Sequence, residues 1–384
     1  MSVPAPPIPS APSLGPVPPA VAVPPPERPR VVRWDLDKTY LHTDFDSFRG
    51  LFWAAVEKPE TKRSVPGAAA LIRVMRSEHP TVLTILSGSP SQMRQALESK
   101  LRLDGVAWDD FVLKHSLRNL VRLRFRALRD QVGYKLPALL GQRSRGPADA
   151  DREILFGDDA EADAFVYTLY GDILGGRVSD KLLRAILEYA GTYPDVIDET
   201  IELVQTVPLT DPVRRVFIHL DRRSDPEFFR RYGAKVVPVS DYFQAALVLV
   251  GDGELSALGA SQVAAAVVEA DARDIDDLSA GARDILARGH CPPEALGAVA
   301  PALRAGGGLW SLPAPQAERL ADALEAAAEA SAQNADAPVD APPAEAPPAE
   351  AAAVDYLTSL LDDRARWEAA SAKARSRKRP PPPT

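Results

Sequence analysis

Five short apolar runs separated by longer helix-forming stretches constrain this chain more tightly than any other feature. The runs are Val31–Asp35, Val82–Leu86, Phe111–Leu113, Glu153–Phe156 and Arg215–Leu220. Between them lie segments such as Gly67–Glu78 and Pro90–Leu101, rich in Ala, Leu, Arg and Gln, which favour helices. Strand–helix alternation of this kind predicts an α/β fold, a parallel sheet of about five strands with helices on both faces. In such sheets a ligand sits beyond the carboxyl ends of the strands.

Proline marks where that pattern stops. Of the 37 prolines in 384 residues, 21 fall within residues 4–29, 338–348 and 380–383. Those stretches read as extended, solvated segments with no packed core. The expected organisation is a disordered Pro-rich start (1–30) and a domain over 31–250 with a helical insertion at about 173–207. An Ala-rich helical extension (251–330) and a Pro/Ala linker (331–353) follow. The last part (354–384) carries a short amphipathic helix, with Val354, Leu357, Leu360 and Leu361 as a weak docking face, and the basic tail Lys373–Arg379.

The formal charge of −8 argues against a nucleic-acid partner, whose footprint is a basic domain. The single cysteine, Cys291, excludes an internal disulfide and reads as a small half-buried apolar side chain. No window approaches the ~20 apolar residues of a transmembrane helix, and the N-terminus does not read as a signal peptide. The expectation is a soluble, cytoplasmic protein.

Four motifs in fixed order carry the chemistry: Asp35-Leu36-Asp37-Lys38-Thr39, Ser87, Lys135, and Gly157-Asp158-Asp159 with Asp163 beyond. Asp35, Ser87 and Asp158 each fall at or just past the end of an expected strand. Two carboxylates at one strand end suit nucleophilic attack by one and proton transfer by the other, provided their environments separate their pKa values. The Ser87 hydroxyl can donate to a phosphoryl oxygen beside the small Gly88, or cap the next helix with Ser89 and Ser91 as rivals. Lys135 can neutralise a phosphate, with Lys114 as its competitor. Asp158, Asp159, Glu161 and Asp163 offer hard oxygen ligands that suit Mg²⁺, Asp158 foremost because Gly157 lets the strand end approach closely. An acidic helix start is the plainer reading of the same residues.

Arg118, Arg122, Arg126 and Arg129 share one face of a helix expected over His115–Asp130. That face can hold an anionic head group or approach an anionic membrane surface, or it is a solvated face paired with surplus acids.

Taken together, the motifs resemble the haloacid-dehalogenase-like phosphohydrolase superfamily: Asp-x-Asp-x-Thr, then Ser/Thr, then Lys, then a Gly-Asp acidic cluster, on a Rossmann-like sheet. The resemblance implies Asp35 as nucleophile, Asp37 as general acid/base, and Ser87 and Lys135 as phosphate binders. It implies Mg²⁺ held by Asp35, the Asp37 backbone carbonyl and Asp158; in the acidic cluster read by itself, Asp163 can orient Asp158 or bind the ion through water. Thr43, Val65-Pro66-Gly67, Leu86-Ser87-Gly88-Ser89-Pro90 and Gly157-Asp158-x4-Asp163-x3-Tyr167 look like one branch. That branch is the catalytic domain family of actin-patch-associated phosphatidate phosphatases. It implies removal of phosphate from phosphatidate or a related phospholipid by an enzyme peripheral at the membrane. Lys38 stands where that branch usually has a third Asp, and Gly88 where Asn is common. The alternatives are a phosphatase for nucleotide, sugar or protein phosphates, and a catalytically silent scaffold.

Overall fold

The computed structural model describes residues 28–41, 63–114, 128–147, 150–270, 272–335, 354–363 and 365. The expectations for 1–27, Thr43, most of the 331–353 linker, the basic tail, and Arg118, Arg122 and Arg126 lie outside those residues. Six parallel strands form one sheet: β1 (Arg30–Asp35), β2 (Thr81–Pro90), β3 (Asp110–Lys114), β4 (Glu153–Asp158), β5 (Val213–His219) and β6 (Val236–Val239). Their order is β3-β2-β1-β4-β5-β6.

The sheet therefore has six strands rather than the expected five. The sixth reads Val-Val-Pro-Val, and an internal proline argues against a strand when only a central one is imagined. At the sheet edge the missing N–H removes no ladder bond, and β6 pairs only with β5. By contrast, β1 and β4 are buried at every residue, which explains their near-continuous apolar runs.

Chain direction reverses across β1 and β4. From β1 the chain runs outward to β2 and β3, then crosses back to β4 and outward again to β5 and β6. The crevice at such a switch lies between the carboxyl ends of the two central strands, here Asp35 and Asp158. The helices over one face are α1 (Ala68–Glu78) and α2 (Arg94–Leu103). Those over the other are α3 (Leu128–Arg145), α4 (Asp163–Leu174), α5 (Asp180–Tyr189) and α6 (Pro194–Val204), the last two inside the expected insertion. Each face has its own buried cluster. On the first face Trp34, Phe156 and Phe217 form a stacked row across β1, β4 and β5, with centroids 3.8 and 5.0 Å apart. Offset aromatic contacts of this kind add to the area they bury.

The helices after Val250 do not stand apart. They are α8 (Ala257–Glu269), α9 (Ile275–Ala287), α10 (Pro293–Ala305) and α11 (Ala314–Ala335), packed beyond α1 and α7 (Tyr242–Gly251). Leu278, Leu296 and Leu320 belong to the same buried cluster as Trp34 and Phe243. Cys291 is buried there, and burial pushes its thiol up to about 12, in keeping with a structural side chain. Among the described residues no helix is long and apolar enough to cross a membrane.

The short helix at 356–363 docks on α4 and on the turn Pro226–Tyr232. Tyr356, Ser359, Leu360 and Asp363 are buried, whereas Leu357 and Leu361 of the expected docking face are exposed. Tyr356 meets Phe165 edge-on, its hydroxyl donates to Asp172, and the Tyr232 hydroxyl donates to Asp363 at 2.6 Å. A tyrosine whose hydroxyl finds a carboxylate can bury where a count of aliphatic residues does not look.

Candidate active site

The chain turns sharply after β1. Leu36 N–H donates to the Leu86 carbonyl, extending the β1–β2 pairing, while Tyr40 and Leu41 N–H donate back to the Leu36 carbonyl. Lys38 sits in the left-handed region (φ 62°) at the apex of the loop. This turn buries Asp35, Asp37 and Thr39 together at the strand end. Thr39 Oγ1 lies 3.4 Å from Asp35 Oδ2 and 3.4 Å from Asp158 Oδ2, bridging the two central strands.

Lys135 reaches the same volume from α3. Its Nζ lies 2.9 Å from Asp35 Oδ1 and 2.9 Å from Glu161, and it donates to Asp163. The ammonium is 1% exposed, so its charge is screened by these acids and little else. Burial alone lowers the Lys135 pKa, but Asp163, Asp35 and Glu161 outweigh it and hold it well above the usual lysine range.

The carboxylates far outnumber this cation. Asp35, Asp158, Glu161 and Asp163 place oxygens within 4.8 Å of one another. Burial pushes Asp35 well above the ordinary carboxylate range; Lys135 opposes the rise, and Asp163, Glu161 and Asp158 add to it. Asp158 is raised for the same reasons, burial first and then Glu161 and Asp163. Oxygen-only donors with an excess of negative charge are what a hard divalent cation requires. Asp37 Oδ1 is buried and accepts no hydrogen bond, whereas Asp35 Oδ1 is held by the Lys135 ammonium alone. On these observations the cluster could hold a hard divalent cation.

Asp37 stands apart from that cluster. Its Oδ2 accepts from Ser87 Oγ at 2.9 Å and from Ser89 Oγ at 3.1 Å. Burial, aided by Glu161, raises its pKa to about 6 against the pull of the two hydroxyls. Ser87 is therefore brought to the site with its hydroxyl on Asp37, and it caps no helix. The next helix follows a 3₁₀ turn at Ser91–Met93, and its N-cap, Met93, makes no side-chain cap bond. A Cβ at Gly88 meets nothing within 4 Å.

The acidic cluster divides cleanly. Asp158 Oδ1 accepts from the Ala160 and Glu161 N–H groups, leaving Oδ2 toward Thr39. Asp159 turns away, its two oxygens accepting from Arg222 N–H and Ser224 N–H in the loop after β5. Asp163 accepts from Asp158 N–H and from Lys135. A Cβ at Gly157 would sit 2.4 Å from Asp163 Cβ and 2.5 Å from its Oδ2, so the glycine makes room for the Asp163 side chain beside the strand end.

Sequence reasoning passed over Ser89 as more than a cap, Glu161 as a partner of Lys135, and His219. The His219 ring contacts the Lys38 carbonyl at 3.1 Å and stacks on Tyr242, whose hydroxyl donates to the Thr39 carbonyl. Its position at the end of β5, beside Asp158, was the available signal. Compared with protein-family models, with curated proteins and with solved structures, the chain matches none of them.

Proposed function

We propose that this chain is a Mg²⁺-dependent phosphomonoesterase that works through Asp35, of the haloacid-dehalogenase-like kind its motifs resemble. The observation that carries the reading is the buried Asp35 carboxylate at the end of β1, with the Lys135 ammonium 2.9 Å from its Oδ1 and the oxygens of Asp158, Glu161 and Asp163 gathered beside it. Asp35 Oδ1 attacks phosphorus in line; the new O–P bond forms as the ester O–P bond breaks, leaving an aspartyl-phosphate. Asp37, with a pKa near 6, is protonated often enough near neutrality to give its proton to the departing oxygen. As a carboxylate it then takes a proton from the water that hydrolyses the aspartyl-phosphate. Ser87 and Ser89 hold Asp37 in place for both transfers, and Lys135 opposes the rise in the Asp35 pKa that burial causes, favouring the carboxylate that attacks. Asp35 and Asp158, with Glu161 beside them and the Asp37 carbonyl, would hold Mg²⁺, which supplies charge neutralisation to the phosphate.

Phosphatidate or a related phospholipid follows from the sequence resemblance alone, since the arginine face that would meet a membrane lies outside the described residues. The test is phosphate release from a broad phosphomonoester panel, phosphatidate liposomes included, with and without Mg²⁺. Turnover that needs Mg²⁺ and disappears in Asp35→Asn supports the reading. Equal rates in wild type and Asp35→Asn would end it.

A further inference from the structure

An ammonium carries three N–H groups, and three carboxylate oxygens already stand around that of Lys135. It donates to Asp163, and Asp35 Oδ1 and Glu161 Oε2 each lie 2.9 Å from Nζ. With the lysine side chain only 1% exposed, no further oxygen reaches Nζ until one of the three withdraws. A phosphoryl group that binds Lys135 must displace a carboxylate first.

The three are not equally held. Asp35 ends β1 and is fully buried, with Oδ2 3.4 Å from the Thr39 hydroxyl. Asp163 is fully buried at the start of α4, where its other oxygen accepts from Asp158 N–H. Glu161 rises from the turn over residues 159–162, and its side chain is 22% exposed. Among the described residues Lys135 is the only hydrogen-bond or ion-pair partner of that side chain. Its carboxylate returns to water at small cost, whereas freeing either aspartate strands a buried charge. Glu161 also crowds its neighbours: after burial itself, its charge does most to raise the pKa of Asp37 and of Asp158. Swinging it outward relieves that repulsion.

Resting on the reading of this site as a phosphomonoesterase, we infer that Glu161 is a built-in competitor of phosphate, covering Lys135 before substrate arrives and yielding the ammonium to the phosphoryl group. The phosphoryl group brings more charge and more acceptor oxygens than the carboxylate, so it displaces Glu161, and the displacement lowers its apparent affinity. After hydrolysis the returning carboxylate helps to expel the freed phosphate.

The test is calorimetric binding of inorganic phosphate to the full-length protein, with Mg²⁺ saturating for each variant, beside KM and kcat for an aryl phosphate. Glu161→Gln keeps the side-chain length and loses the charge; it should bind phosphate about fivefold or more tighter and lower KM, while kcat stays level or falls. Glu161→Asp keeps the charge but draws it back from Lys135 by one methylene, so it should tighten phosphate binding too, by about threefold or more. Tighter binding in Glu161→Gln with wild-type binding in Glu161→Asp would reduce Glu161 to general repulsion and overturn the exchange. Unchanged or weaker phosphate binding in both variants would overturn it as well, with the phosphomonoesterase reading left standing. A wild type that neither binds phosphate nor turns over any phosphomonoester removes that reading, and the exchange falls with it.

Discussion

Gly157→Ala is the sharpest probe of how the site is built. The added methyl would lie 2.4 Å from Asp163 Cβ, 2.5 Å from its Oδ2 and 2.7 Å from its Cγ, where ordinary contacts begin near 3.4 Å. Relief needs a shift of about 1 Å, and rotating Asp163 cannot supply it, because Cβ itself is in the clash. Either β4 or the start of α4 must move, breaking the Asp158 N–H bond to Asp163 and loosening Lys135. Overpacking of this kind costs about 1–3 kcal/mol. At this chain length that corresponds to roughly 2–5 °C in Tm. Thermal unfolding followed by circular dichroism measures it, and the same preparation gives phosphate release with Mg²⁺ present. Pairing the change with Asp163→Gly removes the obstructing atoms, so the double variant should lose less than the two singles together by about 1 kcal/mol or more. Gly88→Ala, whose methyl meets nothing, is the control. A Gly157→Ala protein that melts within about 1 °C of wild type, or strict additivity in the double variant, would refute the steric argument.

Asp35→Asn should abolish turnover while leaving the metal-free protein as stable as wild type or more so, because it removes one of several crowded buried carboxylates; a clear fall in Tm would contradict that. In metal-free protein, Asp37 has a folded pKa near 6 against an ordinary 3.8, so its stabilising contribution is full below pH 3.8 and lost as pH rises through 6. That gap corresponds to roughly 3 kcal/mol, and urea melts from pH 4 to 7.5 should show stability falling, with Mg²⁺ shrinking the slope. Tyr356→Ala should release the 356–363 helix, raising its hydrogen exchange to near that of an open segment while β1 amides stay protected. Unchanged exchange at 356–363 would mean the docking does not depend on that ring.

The strand runs and the order of the four motifs were legible because buried central strands and strand-end carboxylates leave local marks. Val31–Asp35 and Glu153–Phe156 differ from β1 and β4 by one and two residues, since burial on both faces forces an unbroken apolar run. β6 was not legible, because Pro238 is tolerated only by its edge position, a fact of sheet order rather than of sequence. The functions within the acidic cluster were equally hidden. Asp158 and Asp159 are identical in type and adjacent in sequence, and only the direction of each side chain sends one to the site and the other to the β5 loop. Ser89 was ambiguous for the same reason: a serine after a strand caps a helix or holds a carboxylate according to where the next turn goes.

That one-residue division between Asp158 and Asp159 has a further consequence. A single peptide unit connects the carboxylate facing Asp35 to the carboxylate bracing the backbone of Arg222 and Ser224, so neither can be displaced without tugging the other. Variation in the β5 loop is then not free to explore new shapes at leisure, because each remodelling drags on the strand end that serves the chemistry. A lineage that keeps Asp159 trades versatility for alignment; one that loses it unhitches the loop and gains room to drift.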